Sequence, residues 1–111
     1  MRKYRHPDTA EIRLADVLYA LSDETRLAMV ATLMDGCEHT SGDLGGPAPK
    51  STISHHTKTL REAGITRTRS EGTRCWISLR RGDIESRYPG LLEMLIARFR
   101  AEVETENPEI A

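Results

Sequence analysis

Aromatic residues are scarce in this 111-residue chain, which holds one Trp, three Tyr and one Phe, so a folded core has to be aliphatic. Cysteine is scarcer still: Cys37 and Cys75 are the whole complement, too few for a disulfide scaffold and in keeping with a reducing, cytoplasmic setting. No apolar run approaches membrane-spanning length, and the basic start Met1-Arg-Lys-Tyr-Arg-His6 is not followed by the apolar stretch of a secretory signal. A glycine-rich phosphate loop, a nucleophile with an obvious base and a carboxylate pair distinct from ordinary surface acids are all missing. The chain therefore reads as no enzyme, with no cofactor called for and no membrane partner.

Length bounds the rest. A chain of 111 residues builds one domain around one core. Residues 1–8 read as a flexible arm and residues 104–111, acidic and interrupted by Pro108, as a frayed tail. Net charge is only −1, but it is unevenly spread. Between Lys50 and Arg81 eight cations (Lys50, Lys58, Arg61, Arg67, Arg69, Arg74, Arg80 and Arg81) meet two carboxylates, Glu62 and Glu71; that segment carries +6, and the remainder must carry −7. One basic element on an acidic body suits a partner rich in phosphate.

Periodicity places the elements. Asp8 or Thr9 opens a first helix running to about Leu21, with Leu14, Leu18 and Leu21 at i, i+4, i+7. Ser22-Asp23-Glu24 caps a second helix to Asp35, whose apolar stripe is Leu27, Val30, Ala31 and Met34, and Gly36 ends it. Thr40 and Asp43 have cap spacing, but Gly45-Gly46-Pro47-Ala48-Pro49 limits a third helix to little more than a turn. A fourth helix starts at Lys50 or Ser51, buries Ile53, Thr57 and Leu60, and is closed by Gly64. A hairpin follows, with its turn at Ser70-Glu71-Gly72; Cys75, Ile77 and Leu79 alternate inward against Arg74, Trp76, Ser78 and Arg80. After a short acidic segment and Pro89-Gly90, a last helix carries Leu92, Leu95, Ile96, Phe99 and Val103, with Leu91 and Met94 as a second stripe. That is more apolar surface than one partner element covers. The fold class is mainly α with a small β-hairpin wing: a winged helix-turn-helix.

On the fourth helix the face opposite the buried stripe holds Ser51, Ser54, His55, Lys58 and Glu62. Small polar side chains there can bond base edges in a major groove, which admits an α-helix. Ser51, Ser54 and His55 are thus the base-facing candidates, Thr52 a further DNA-binding candidate, and Lys50, Lys58 and Arg61 the phosphate holders. The wing arginines Arg67, Arg69 and Arg74 suit the backbone or the adjacent minor groove. His56, beside the buried stripe, packs or bonds locally. The partner is double-stranded DNA.

Leu21-Ser-Asp-Glu-Thr-Arg-Leu27, the Ser-Thr-Ile-Ser-His-His run at 51–56, Leu60-Arg-Glu-Ala-Gly64 and the Glu71-Gly72 wing resemble the ArsR/SmtB family of winged-helix repressors over roughly residues 14–95. The resemblance implies a homodimer built on the first and last helices, with Leu14, Leu18, Leu92, Leu95, Ile96 and Phe99 among its contacts, and repression of a palindromic operator. The family's thiolate signature, Glu-Leu-Cys-Val-Cys-Asp-Leu, aligns with Glu38-His-Thr-Ser-Gly-Asp-Leu44, so Thr40 and Gly42 replace both cysteines, and no histidine follows His56 to rebuild the last-helix site. The expectation is a non-metal-sensing member with an unknown small-molecule inducer. Two alternatives share the scaffold: a protein-interaction module, or a repressor switched by metal at Cys37, His39 and His6 or by oxidation of Cys37 and Cys75.

Overall fold

In the computed structural model, which describes residues 3–106, the expected first helix is broken at Ile12. A short 3-10 turn, Thr9–Glu11, precedes an extended Ile12-Arg13 step, and helix α1 spans only Leu14–Ala20. The cause is tertiary. Ile12 is buried in the core, and its carbonyl accepts from Tyr88 Oη at 2.9 Å and Arg87 Nη2 at 3.0 Å, so that acceptor is committed elsewhere and the chain leaves helical geometry there.

Helix α2 (Glu24–Leu33) is capped as expected: the Asp23 carboxylate accepts from the Arg26 backbone N–H at 3.0 Å. Its buried face is Arg26, Met29, Val30 and Leu33; of the stripe expected from the sequence only Val30 is fully buried, and Leu27, Ala31 and Met34 are partly buried beside the core. Strand β1 (His39–Thr40) leads into α3 (Ser41–Gly45), where Thr40 Oγ1 accepts from the Asp43 N–H at 3.2 Å. Helix α4 (Lys50–Glu62) buries Ile53, Thr57 and Leu60, the expected stripe. Gly45 lets α3 approach α4: a Cβ there would collide with the Ile53 side chain. Gly64 closes α4 at φ +84°, over Ile12.

Strands β2 (Thr66–Glu71) and β3 (Arg74–Leu79) pair antiparallel from Thr66↔Leu79 to Glu71↔Arg74, and β1 adds to the far edge of β3, giving the order β1-β3-β2. The turn is therefore Gly72-Thr73, and Ser70 and Glu71 belong to the strand. A two-residue strand carries no alternation to detect, which is why β1 is absent from the sequence pattern. Helix α5 (Arg81–Arg87), to which the sequence pattern assigned no element, fills the short acidic segment, anchored by buried Ile84. Arg80, expected on the outer face of the wing, is buried instead: its Nε donates to Asp83 Oδ2 at 2.9 Å and its Nη1 to the Pro7 carbonyl at 2.7 Å.

Helix α6 (Leu91–Glu106) reaches further than expected, since Glu104 to Glu106 are helical; the rest of the acidic tail lies outside the described residues. Leu92 and Ile96, expected at a dimer contact, are 2% and 1% exposed and sit in the protomer's own core with Ile12, Val17, Met29 and Ile84. The arm expected to be loose is docked from Tyr4 onward, on contacts given below, while Met1 and Arg2 lie outside the described residues. Among the described residues no helix is long and apolar enough to cross a membrane.

Candidate nucleic-acid interface

Helix α4 presents Ser51, Thr52, Ser54, His55 and Lys58 to solvent, all exposed, while Ile53, Thr57 and Leu60 hold its other side in the core. Pro49 sets the first turn, and Lys50 is its first residue. His56 is half-buried and turned inward, where its Nδ1 lies 3.0 Å from Arg26 Nη1.

A groove of about 490 Å³ runs between α3, the start of α4 and the tip of the hairpin, and Ser41, Lys50, Ser54, Thr73 and Arg74 line it. Lys50 and Arg74 thus stand on opposite banks of one concave, donor-rich surface. Among the described residues neither they nor Lys58 lies within ion-pair distance of a carboxylate. Such uncommitted cations cost nothing to redirect to phosphate.

The other basic residues are placed differently. Strand alternation puts Thr66, Thr68, Ile77 and Leu79 on the face packed toward α4 and the core, and Arg67, Arg69 and Trp76 on the opposite face. Arg69 makes a forked pair with Glu38, Nε to Oε2 at 2.7 Å and Nη2 to Oε1 at 2.9 Å, and its Nη1 bonds Glu71 at 2.7 Å. That fork is the geometry a guanidinium also offers phosphate, and here carboxylates occupy it. The Arg69 hydrogen bonds hold Glu38 below its ordinary carboxylate range, and Glu38 and Glu71 together push Arg69 further up. Arg67 lies 4.0 Å from Asp83 and Arg81 pairs with Glu93 at 2.6 Å. Of the eight cations counted in the sequence, the ones without a carboxylate within ion-pair distance among the described residues are Lys50, Lys58, Arg61 and Arg74; Arg74, paired across the hairpin with Glu71, reaches the groove at the wing tip.

Arg61 has an aromatic partner. Its guanidinium lies 4.7 Å from the Tyr4 ring centroid, and Tyr4 Oη is 3.0 Å from Cys75 Sγ. Two residues on, His6 Nε2 accepts from the Thr68 backbone N–H at 2.9 Å. Burial lowers the pKa of His6, helped by Arg67, Arg80 and Arg61, so the imidazole is held in the neutral form that this acceptor role needs. The arm therefore straps α4 to β2 and β3. Nothing local in the sequence marks it, because each bond spans 62 or more positions.

The three metal candidates are not brought together. His39 Nε2 bonds Asp35 at 2.8 Å, His6 serves Thr68, and Cys37 is an exposed free thiol. Among the described residues no three His, Cys, Asp or Glu side chains are grouped to hold a metal ion. Thr40 and Gly42 hold the positions of the family's thiolates, with Thr40 spent as the α3 cap. Cys75 is a free, half-buried thiol.

No family model matches the chain. The ArsR-like transcriptional regulator from Rhodococcus sp. RHA1 shares the fold, with a TM-score of 0.56 and 23% identity over 87% of this chain and 88% of that one. The transcriptional repressor BigR from Xylella fastidiosa has a TM-score of 0.60 and 31% identity over 78% of this chain and 85% of that one. The HTH-type transcriptional regulator YceK of Bacillus subtilis (strain 168) is 44% identical over 84 residues, covering 73% of this chain and 84% of its own. The chain belongs to the ArsR/SmtB family. It is a DNA-binding transcriptional regulator with a winged helix-turn-helix. In ArsR/SmtB terms α3 and α4 are the helix-turn-helix, α4 is the reading helix, and β2–β3 is the wing. The broken stretch from Gly45 to Pro49 leaves α3 only five residues long, yet α4 still seats against it because Gly45 has no side chain.

Proposed function

We propose that the protein is a homodimeric repressor that binds a palindromic operator, as one domain spanning residues 1–111 and without catalytic activity. Two copies of α4 then enter successive major grooves about 34 Å apart. Operator binding puts its work in the cytoplasm, beside the DNA.

The observation that carries the proposal is the shared surface of α4 and the hairpin tip, where exposed Ser51, Thr52, Ser54 and His55 sit between Lys50, Lys58 and Arg74. Ser51, Thr52, Ser54 and His55 read bases. Lys50, Lys58, Arg61 and Arg74 hold phosphates. Arg67 and Arg69, tied to Asp83 and to Glu38 and Glu71, serve the shape of the wing before they serve DNA.

Dimerisation is supported by four large apolar side chains left open: Leu14 at 45%, Leu18 at 44%, Tyr19 at 65% and Met94 at 53% exposure. They lie on α1 and α6, with half-buried Leu95 and Phe99 beside them on α6. Large apolar side chains left open on two helices of a small protein favour a docking role for those helices.

The test is a titration of the protein against duplex DNA from upstream of its own gene and against a shuffled duplex, at several salt concentrations. Preferential binding that weakens as salt rises is the expected result. Ser54→Ala or His55→Ala should erode the preference by about fivefold or more while leaving shuffled-duplex affinity nearly unchanged. Equal affinity for both duplexes would overturn the operator reading.

A further inference from the structure

The arm ahead of the first turn is laid down in one direction, and two sets of contacts give that direction. Along the hairpin, the Pro7 carbonyl accepts from Arg80 at the base, His6 accepts from the Thr68 N–H, and Tyr4 Oη reaches Cys75, which stands opposite Ser70. Along α4, Pro7 packs beside Gly64 just past the end of the helix, and Arg5 borders a hollow with Glu11 and Glu62. The Tyr4 ring then lies against Arg61, in a cleft that Lys58 and Ser54 also line. Followed from Pro7 back to Tyr4, the chain therefore travels from the base of the wing toward its tip, and from the end of α4 toward its exposed row.

Two cations of this arm have different surroundings. Arg5 sits beside two carboxylates, Glu11 and Glu62. Lys3 is exposed, one Cα step of about 3.8 Å beyond Tyr4 on the side of the reading row. Among the described residues no carboxylate lies within ion-pair distance of it. Lys3 thus adds its charge to that of Lys58 and Arg61 at one end of the cleft, where an approaching anion is drawn in. Fixing a chain segment costs conformational entropy, and the contacts of Tyr4, His6 and Pro7 meet that cost before any partner arrives.

We propose that Lys3 is a further phosphate contact on duplex DNA, outside the helix-turn-helix and the wing, and that Tyr4 positions it by anchoring the arm between α4 and β3. Arg5, of the same charge and two residues away, takes no such part. The proposal rests on the reading above that this face binds duplex DNA.

The test is a salt series of fluorescence anisotropy titrations on the full-length protein, with the upstream duplex and the shuffled duplex. Lys3→Gln should flatten the plot of log affinity against log salt by about one per protomer on both duplexes. Arg5→Gln should leave the slope nearly unchanged. In a Tyr4→Ala background, adding Lys3→Gln should change the slope by less than about half as much, because the arm is no longer held. The melting temperature of each variant checks that the fold is intact. A folded Lys3→Gln with the parental slope, an Arg5→Gln change equal to that of Lys3→Gln, or an undiminished effect of Lys3→Gln in the Tyr4→Ala background would each overturn the proposal while leaving the operator reading standing. A parent protein that binds neither duplex would overturn both.

Discussion

Arg26 Nη1 stands 3.0 Å from Nδ1 of His56, joining the first turn of α2 to the middle of α4. The same guanidinium donates from Nε to the Ala20 carbonyl, the last residue of α1, at 2.7 Å, and lies 5.6 Å from the Tyr19 ring. A guanidinium only donates, so His56 Nδ1 must accept and its ring proton sits on Nε2. One side chain, 5% exposed, thus fastens the helix proposed for the dimer contact to the helix proposed to read DNA.

The first prediction follows from that joint. Arg26→Ala should lower unfolding free energy by about 2–4 kcal/mol, because a buried carbonyl and a half-buried imidazole lose a charged donor together. Arg26→Lys should recover only part, since an ammonium cannot span both acceptors as a planar fork does. Urea denaturation of the three proteins measures this. A stability for Arg26→Lys equal to that of the parent would show that charge alone, without fork geometry, is what α4 requires.

A second prediction separates cations that the sequence treats alike. Arg69 is engaged by Glu38 and Glu71, whereas Arg74 lines the groove with Lys50 and Ser54. Arg74→Ala should weaken binding to any duplex and flatten the plot of log affinity against log salt by about one per protomer. Arg69→Ala should leave that slope nearly unchanged. Conversely, Glu38→Gln frees the Arg69 fork and should strengthen non-specific binding. Filter binding or fluorescence anisotropy over a salt series decides it, and matching slope changes for the two arginine variants would refute the division.

The strap supplies a pH dependence. His6 accepts from the Thr68 N–H only when neutral, and burial with three nearby arginines lowers its pKa from the ordinary 6.5. Between the unfolded and folded values the undocked arm binds more protons than the docked one, so docking weakens as pH falls through and below 6.5. Above that window the contribution is complete. Hydrogen exchange at residues 4–8, taken relative to the intrinsic rate at each pH, should therefore accelerate from pH 7.5 to pH 5.5. His6→Gln, which keeps an acceptor but cannot protonate, should abolish the extra acceleration; the same acceleration in both proteins would remove His6 as its source.

Much of what could be read locally was read correctly, though not the buried stripe of α2 or the place of the hairpin turn, and the largest misses share one physical cause. Ile53, Thr57 and Leu60, the caps at Asp23 and Thr40, and the inward Ile77 all follow from periods of 3.6 or 2 and from cap chemistry within three residues. The break at Ile12, the buried Arg80 and the strap at Tyr4 and His6 depend on bonds between residues 62 to 76 positions apart. Arg26 and Arg69 reach 30 and 31 positions to His56 and Glu38, so composition counts them as surface charge while the fold spends them internally. The exposed row of α4, proposed to face bases, was legible as an exposed row because it is the remainder after the buried stripe is subtracted.

The dimer can be tested by the same subtraction. Leu14 and Leu18 lie one turn apart on α1 and remain about half exposed, whereas Leu92 and Ile96 are consumed by the protomer core. Leu14→Glu with Leu18→Glu should therefore convert a dimer to a folded monomer, seen by light scattering with helical circular dichroism retained. Leu92→Ala should instead cost about 2–4 kcal/mol through a core cavity. Losing one half-site contact should lower operator affinity by about a hundredfold or more, the avidity of a linked pair, while leaving binding to an isolated half-site nearly intact. A doubly substituted protein that still sedimented as a dimer would move the contact off α1, and Met94 on α6 would then be the residue to charge next.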